Sequence, residues 1–353
     1  MADDAAPVPA WQAMTEVQVR RWETVLGGIA EMLPPGPVCV VVDGAGPRSA
    51  ALADRLASTL HAAGRPSVRL SDTSPPADED AWYAGRTFGT VAIADGRRWR
   101  THPPQDRWDV TIWLRTRATG GRSEENAESG ADIVVDVHDP AWPVIRHVTA
   151  ALADHNRWYV TESRAFFGPR AATWDTKFGD DMPAYAAAIK EAGLPRDGVV
   201  VDVGCGTGRA LPALREAVGP GGGVIALDLS PEMLGQARAQ GRAEHARLVI
   251  GDARRLPVAD ASIGAVFAAG LIMHLPDPDA GLRELARATR PGGLLILFHP
   301  SGRAALAARH GRTLSPDEPL AEERLRRSMH QTGWKLTTYD DPSHRFLAIA
   351  TRH

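Results

Sequence analysis

The stretch Val199-Val200-Val201-Asp202-Val203-Gly204-Cys205-Gly206-Thr207-Gly208 combines a buried-strand pattern, an acid and three alternating glycines. Such glycines permit positive φ and let a ligand approach bare backbone, and the segment Arg209 to Val218 has helical spacing. Strand, glycine turn and helix in that order form the nucleotide-binding edge of a doubly wound sheet. Asp228, at the end of Val224-Ile225-Ala226-Leu227 and about 20 residues past the turn, stands where a carboxylate takes both hydroxyls of a ribose.

Three further apolar runs follow. Leu248-Val249-Ile250 ends at Gly251-Asp252-Ala253. Ile263 to Ala269 ends at Gly270 and continues into Leu271-Ile272-Met273-His274-Leu275. Leu294 to Phe298 follows Arg290-Pro291-Gly292-Gly293 and ends at His299. Gly or Asp recurs at the carboxyl ends of the first four strands, the edge where open α/β sheets bind ligands.

The order VDVGCGTG, ALDLSPEML, GDARRLP, MHLPDP and RPGG resembles class I S-adenosylmethionine-dependent methyltransferases over roughly residues 160 to 353. The turn is G-x-G-x-G, unlike the G-x-G-x-x-G of nicotinamide enzymes. The resemblance implies a Rossmann-like seven-stranded sheet closed by an antiparallel pair, Lys335 to Thr338 with Phe346 to Thr351. It implies S-adenosylmethionine as cofactor. Asp228 would hold the ribose. Asp252, Ala253, Leu229 and Met233 would hold adenine. The backbone of Gly204, Cys205 and Gly206 would approach the methionine tail, with Asp202 orienting the loop or the amino group. Gly270 and Leu271 would lie under the sulfur. Trp174-Asp175 matches an aromatic-acid pair of the lid, beside packing as an equal alternative.

Methyl transfer is an in-line displacement that positioning accelerates, and a base is needed only when the acceptor must lose a proton. His274 and His299 are the catalytic candidates, against packing for the first and a plain loop role for the second. The Asn-Pro-Pro-aromatic signature of nucleic-acid amino methylases is missing, as is a cysteine pair for ring-carbon methylation. The expected acceptor is a small molecule, with secondary metabolites among the candidates.

The elements that carry these residues occupy half of a 353-residue chain, which is long for one domain. The expected division is 1–158, a lid or linker at 159–198, and 199–353. A net charge of −3 argues against a nucleic-acid binder. No apolar run reaches membrane length, no signal layout opens the chain, and Cys39 and Cys205 suggest no disulfide framework. The expectation is a cytoplasmic protein with neither membrane nor metal.

In the first half, Trp11, Met14, Trp22, Val25, Ile29 and Met32 predict a helix over 11–33. Strands are expected at 38–42, 67–70, 90–94, 110–114 and 133–137, with a helix from about 50 to 63. Over 36–150 this second α/β domain resembles the uridine-kinase branch of phosphate-loop nucleoside kinases. Its Asp43-Gly44-Ala45-Gly46-Pro47-Arg48-Ser49 departs from G-x-x-x-x-G-K-[ST]. The loop is about two residues short, Arg48 replaces lysine, and Pro47 removes an N–H. A degenerate domain is expected, serving as a homodimer surface or site wall. A bifunctional nucleoside kinase–methyltransferase and a non-catalytic S-adenosylmethionine-binding regulator are the rivals. Eight of the ten tryptophans fall in this half, favouring a tryptophan-rich core over ligand stacking. Arg97, Arg98, Arg100 and Arg107 read as an anion patch or, more often for such a run, a solvated turn. Residues 116–130 read as a mobile loop.

Overall fold

The computed structural model describes residues 13–353 except 75, 86–88, 104–107, 117–127, 129, 154–156 and 311. Trp11, Arg107 and most of segment 116–130 therefore lie outside the described residues. The chain divides into two units, Met1–Glu162 and Ser163–His353, with the boundary inside a helix, Arg157–Phe167. Among the described residues no helix is long and apolar enough to cross a membrane.

The first unit holds strands β1 (Val38–Asp43), β2 (Ser67–Leu70), β3 (Val91–Asp95), β4 (Val110–Arg115), β5 (Ile133–Asp136) and β6 (Val144–Val148). Their order is β2-β3-β1-β4-β5-β6, parallel except for β6. β1 is buried along its whole length, which is why its sequence is a continuous apolar run. The first described helix starts at Glu16, because Thr15 and Gln18 close a reciprocal capping box there. Its buried Arg21 pairs with Glu162, which also accepts from the Ile145 amide at 2.6 Å, and Arg21 donates to the Pro143 carbonyl at 2.7 Å. A buried charge engaged on every side in this way avoids the cost of an unpaired one. Trp22, Trp82, Trp99 and Trp113 are buried.

The short glycine loop after β1 leads directly into a helix, Pro47–Ala62. The amides of Ala45, Arg48 and Ser49 all donate within the turn, to Ser49 Oγ, Ala45 O and Gly46 O. The Arg97–Arg100 run is one helical turn with Arg97 and Arg98 exposed, the solvated turn that such a run more often is. Trp99 is buried under Arg98, and Arg100 Nε donates to Asp43 at 2.6 Å.

The second unit holds β7 (Val199–Val203), β8 (Gly223–Asp228), β9 (Arg247–Ile250), β10 (Ile263–Ala269), β11 (Thr289–His299), β12 (Trp334–Asp340) and β13 (Phe346–Arg352). Their order, β12-β13-β11-β10-β7-β8-β9, leaves β7 inside the sheet between β10 and β8 with crossovers to either side, the arrangement that opens a crevice at the carboxyl ends. β13 runs antiparallel between β11 and β12, as the sequence predicted. The helix after the glycine turn is shorter than its spacing suggested, Leu211–Val218, because residues 207–210 complete the turn first. Phe267, Phe298 and Tyr185 pack together over the central strands. Trp334 is fully buried, with its indole N–H donated to Leu282 O at 3.0 Å. Each such side chain stabilises the unit by ~1.5–3 kcal/mol.

Candidate cofactor site

The site lies along the carboxyl ends of β7, β8, β9 and β10. Gly204, Gly206 and Gly208 all have positive φ. The three differ in what surrounds them. A Cβ at Gly208 would meet Leu211 at 2.8 Å, and one at Gly204 would meet Leu271 at 3.2 Å, whereas nothing lies within 4 Å of one at Gly206. Gly206 is thus the point where backbone faces open space.

The turn's amides are already employed. Those of Gly204 and Cys205 donate to Leu227 O at 2.8 and 3.0 Å, and that of Gly206 donates to Asp228 Oδ2 at 2.7 Å. They stitch β7 to β8, so the turn offers its shape more than its donors. Cys205 is buried, and burial holds its thiol protonated well above the ordinary range.

Two acids dominate the crevice. Asp228 Oδ1 accepts from the Ser230 amide at 2.8 Å, so backbone donors occupy one lone pair on each oxygen. The Leu229 amide also reaches this carboxylate, so three backbone donors leave only part of its acceptor capacity for a ligand hydroxyl. Burial raises the Asp228 carboxyl above its ordinary value against the opposing pull of these amides. Asp202 on the neighbouring strand is 2 % exposed, and among the described residues no hydrogen-bond donor reaches its carboxylate. It does not orient the turn by hydrogen bonding. Burial, and then the charge of Asp228, push it up to about 8.

The remaining predicted residues frame these acids. Ser230 caps the helix Pro231–Ala239 by accepting from Met233 N, which buries Met233. The Leu229 carbonyl accepts from Arg164 Nε at 2.9 Å. Ala253 is buried after β9. Asp252 is bound bidentately by Arg254, with Nη2 at 2.7 Å and Nε at 3.0 Å, so any hydrogen bond to adenine must share that carboxylate. Gly270 closes β10 with its amide on Phe298 O. His299 stands beside it, since a Cβ at Gly270 would come 3.8 Å from the imidazole Cδ2. His299 Nδ1 lies 2.9 Å from Ser301 O and 3.0 Å from Ser301 N. Burial lowers its pKa, so the ring is neutral at pH 7. His274 is exposed, with ring contacts to Phe167 at 5.3 Å and Phe166 at 6.5 Å, and Phe167 also meets Trp174 at 5.9 Å.

Sequence reasoning missed the charges around the turn. Thr207 Oγ1 donates to Asp175 at 2.6 Å, Arg242 pairs with Asp175 at 2.7 Å, and Arg209 pairs with Asp181 at 2.8 Å. The acid of the Trp174-Asp175 pair and Arg209, next to the last glycine, were the signals available. Nothing in the spacing points to Arg242.

This donor set fits S-adenosylmethionine. An acid with acceptor capacity to spare suits its ribose, open backbone at Gly206 suits close approach, and an unpaired buried acid suits a cationic ligand. A family model described as a methyltransferase domain matches residues 201–297. Malonyl-[acyl-carrier protein] O-methyltransferase of Hahella chejuensis is 35% identical over 152 residues, 42% of this chain and 53% of that protein. Demethylmenaquinone methyltransferase of Staphylococcus aureus is 35% identical over 114 residues, 32% of this chain and 47% of that one. The chain thus spans about half the length of these curated relatives. A solved S-adenosylmethionine-dependent methyltransferase of Aquifex aeolicus is 21% identical, with a TM-score of 0.42 over 55% of this chain and 98% of its own. The second unit carries a class I S-adenosylmethionine-dependent methyltransferase domain.

Proposed function

We propose that the protein transfers a methyl group from S-adenosylmethionine to a small-molecule acceptor. The observation that carries this reading is the pair of acids at neighbouring strand ends, Asp228 with spare acceptor capacity and Asp202 unpaired. When bound, the cofactor supplies an electrophilic methyl on a sulfonium. Asp228 holds the ribose, and the Gly206 amide fixes the rotamer that makes this possible. Met233, Ala253 and Leu229 wall the adenine, while Asp202 faces positive charge. Phe166, Phe167, Trp174 and His274 exclude water from the acceptor side, which strengthens every interaction inside. His299 donates Nδ1–H to the Ser301 carbonyl, leaves Nε2 basic beside Gly270, and takes the acceptor's proton.

The test is transfer of isotope-labelled methyl from S-adenosylmethionine into the small-molecule fraction of a cell extract, with kcat/KM rising through a pH below the ordinary histidine value. Label found only in protein or nucleic acid would overturn the acceptor assignment. Failure to bind the cofactor at all would overturn the whole reading.

A further inference from the structure

The segment from Trp174 to Asp181 is tied to the glycine turn by charge. Thr176, Lys177 and Asp180 are exposed, so these residues bury little against the fold. Asp175 instead accepts from Thr207 Oγ1 at 2.6 Å and pairs with Arg242 at 2.7 Å and Arg209 at 3.4 Å. Arg209 bridges onward to Asp181 at 2.8 Å and donates to the Gly179 carbonyl. Arg242 also donates to the Thr207 carbonyl at 2.8 Å. Two acids and two arginines balance, and none of the four side chains is more than 25% exposed. Burial raises the Asp181 carboxyl above its ordinary value despite Arg209, so what the shielding adds is the cost of breaking a pair and leaving its partner charge buried.

Thr207 sits between two glycines in left-handed conformations. A turn with three such glycines is costly to order, since each loses more backbone freedom than any other residue. An external grip on Thr207, one of the two side chains within the turn, supplies that order before a ligand arrives.

We propose that this four-charge network fixes the glycine turn for the cofactor, with Asp175 as a positioning residue acting through Thr207. Cofactor release then requires the Asp175–Thr207 link to open. This rests on the methyltransferase reading, and it assigns the segment a part in cofactor retention that apolar packing alone would not give.

The test compares full-length wild type, Asp175→Asn and Thr207→Val. S-adenosylhomocysteine binding is followed by calorimetry and stopped flow, and hydrogen exchange is measured without ligand. Wild type binds. Asp175→Asn raises the dissociation rate constant about tenfold, and Thr207→Val, which keeps the side-chain shape, raises it about threefold. Exchange quickens at 174–181 and 204–208 but not in the core strands β7 and β10. An unchanged off-rate and unchanged exchange in folded Asp175→Asn overturn the proposal and leave the methyltransferase reading standing. Faster exchange throughout the second unit also overturns it, since the network is then merely structural. Should Asp175→Asn not fold, Thr207→Val decides by the same two readouts. Wild type that does not bind removes the reading and the proposal together.

Discussion

The two units place acids at the carboxyl ends of their strands and treat those beside their glycine turns in opposite ways. In the first, Asp43 is bound by Arg100 at 2.6 Å, Asp95 by Arg69 at 2.6 Å, and Asp136 by His138 at 2.7 Å. In the second, Asp228 meets only backbone amides and Asp202 meets no donor among the described residues. An acid already neutralised by its own chain has nothing to offer a cation. An acid held without one costs stability until a ligand answers it. Both units present a glycine turn after the central strand, so what separates them is the charge left over.

The largest expected effect lies at Asp228. Asp228→Ala removes two charge-assisted bonds to ribose worth ~1.5–3 kcal/mol each, so S-adenosylhomocysteine should bind about a hundredfold or more weakly. Its counterpart sharpens the contrast, since Asp43→Asn should instead lower stability by ~1–3 kcal/mol by leaving Arg100 without its partner. Calorimetric titration and thermal melting separate the two. A wild-type isotherm for Asp228→Ala would show that the second strand end does not face the ligand.

Asp202 should reveal itself through protons. Its folded value is about 8, against about 3.9 for an unfolded aspartate. The stability it contributes is fully present below about pH 4 and is lost as pH rises through about 8. Asp202→Asn should therefore flatten the fall in melting temperature of the ligand-free protein between about pH 5 and 8. A cationic ligand should draw the carboxyl down again, so binding at pH 7 releases a proton from the wild type and less from the variant. Calorimetry in two buffers of different ionisation enthalpy measures this, and equal proton release from both proteins would remove Asp202 from the site.

A smaller effect is expected at Trp174, half-buried against Phe167. Trp174→Ala should raise the apparent constant for cofactor or acceptor a few-fold with the fold intact, because it opens the aromatic wall without touching the strand ends. Unchanged kinetics in a folded variant would reduce this ring to packing.

Most of this contrast could be read from the chain and part of it could not. The glycine turn, Asp228 and the antiparallel closing pair were legible because strand period, turn chemistry and motif order are local signals. β6 was missed because Arg146 and His147 break the apolar run of Val144-Ile145-Arg146-His147-Val148, and an edge strand needs only one covered face. Ion pairs were illegible almost everywhere. Asp175 and Arg242 lie 67 positions apart, and Arg100 finds Asp43 across 57, separations at which no spacing rule applies. Asp252 shows the cost of this blindness in the other direction. The strand-end acid was visible, but the Arg254 guanidinium two residues later, which binds it bidentately, was not anticipated. Whether an acid at a strand end is spent or spare is a question of tertiary structure: Asp252 is spent like the acids of the first unit, and Asp202 and Asp228 beside the turn are spare.

The smallest effect should be none at all, when magnesium-ATP is added to the full-length protein. The turn after β1 places the amides of Ala45, Arg48 and Ser49 on acceptors of its own, and Pro47 has no amide to give. Triphosphate binding needs several free N–H groups converging on one concavity, and here they are consumed locally. Gly44 leaves no room for a side chain, since a Cβ there would meet the Trp113 ring at 2.8 Å and Leu114 O at 2.5 Å. Arg48 keeps a charge but is buried, and a planar fork does not reproduce a compact ammonium. Asp43, at the start of this turn, is held by Arg100. Phosphoryl transfer is positioning and charge stabilisation, so losing both leaves no rate to recover. Melting temperature should be unmoved by ATP at millimolar concentration, and no phosphate should be released. A clear upward shift abolished by Arg48→Ala would show that the first unit also holds an open site, and the contrast between the two sheet edges would fail.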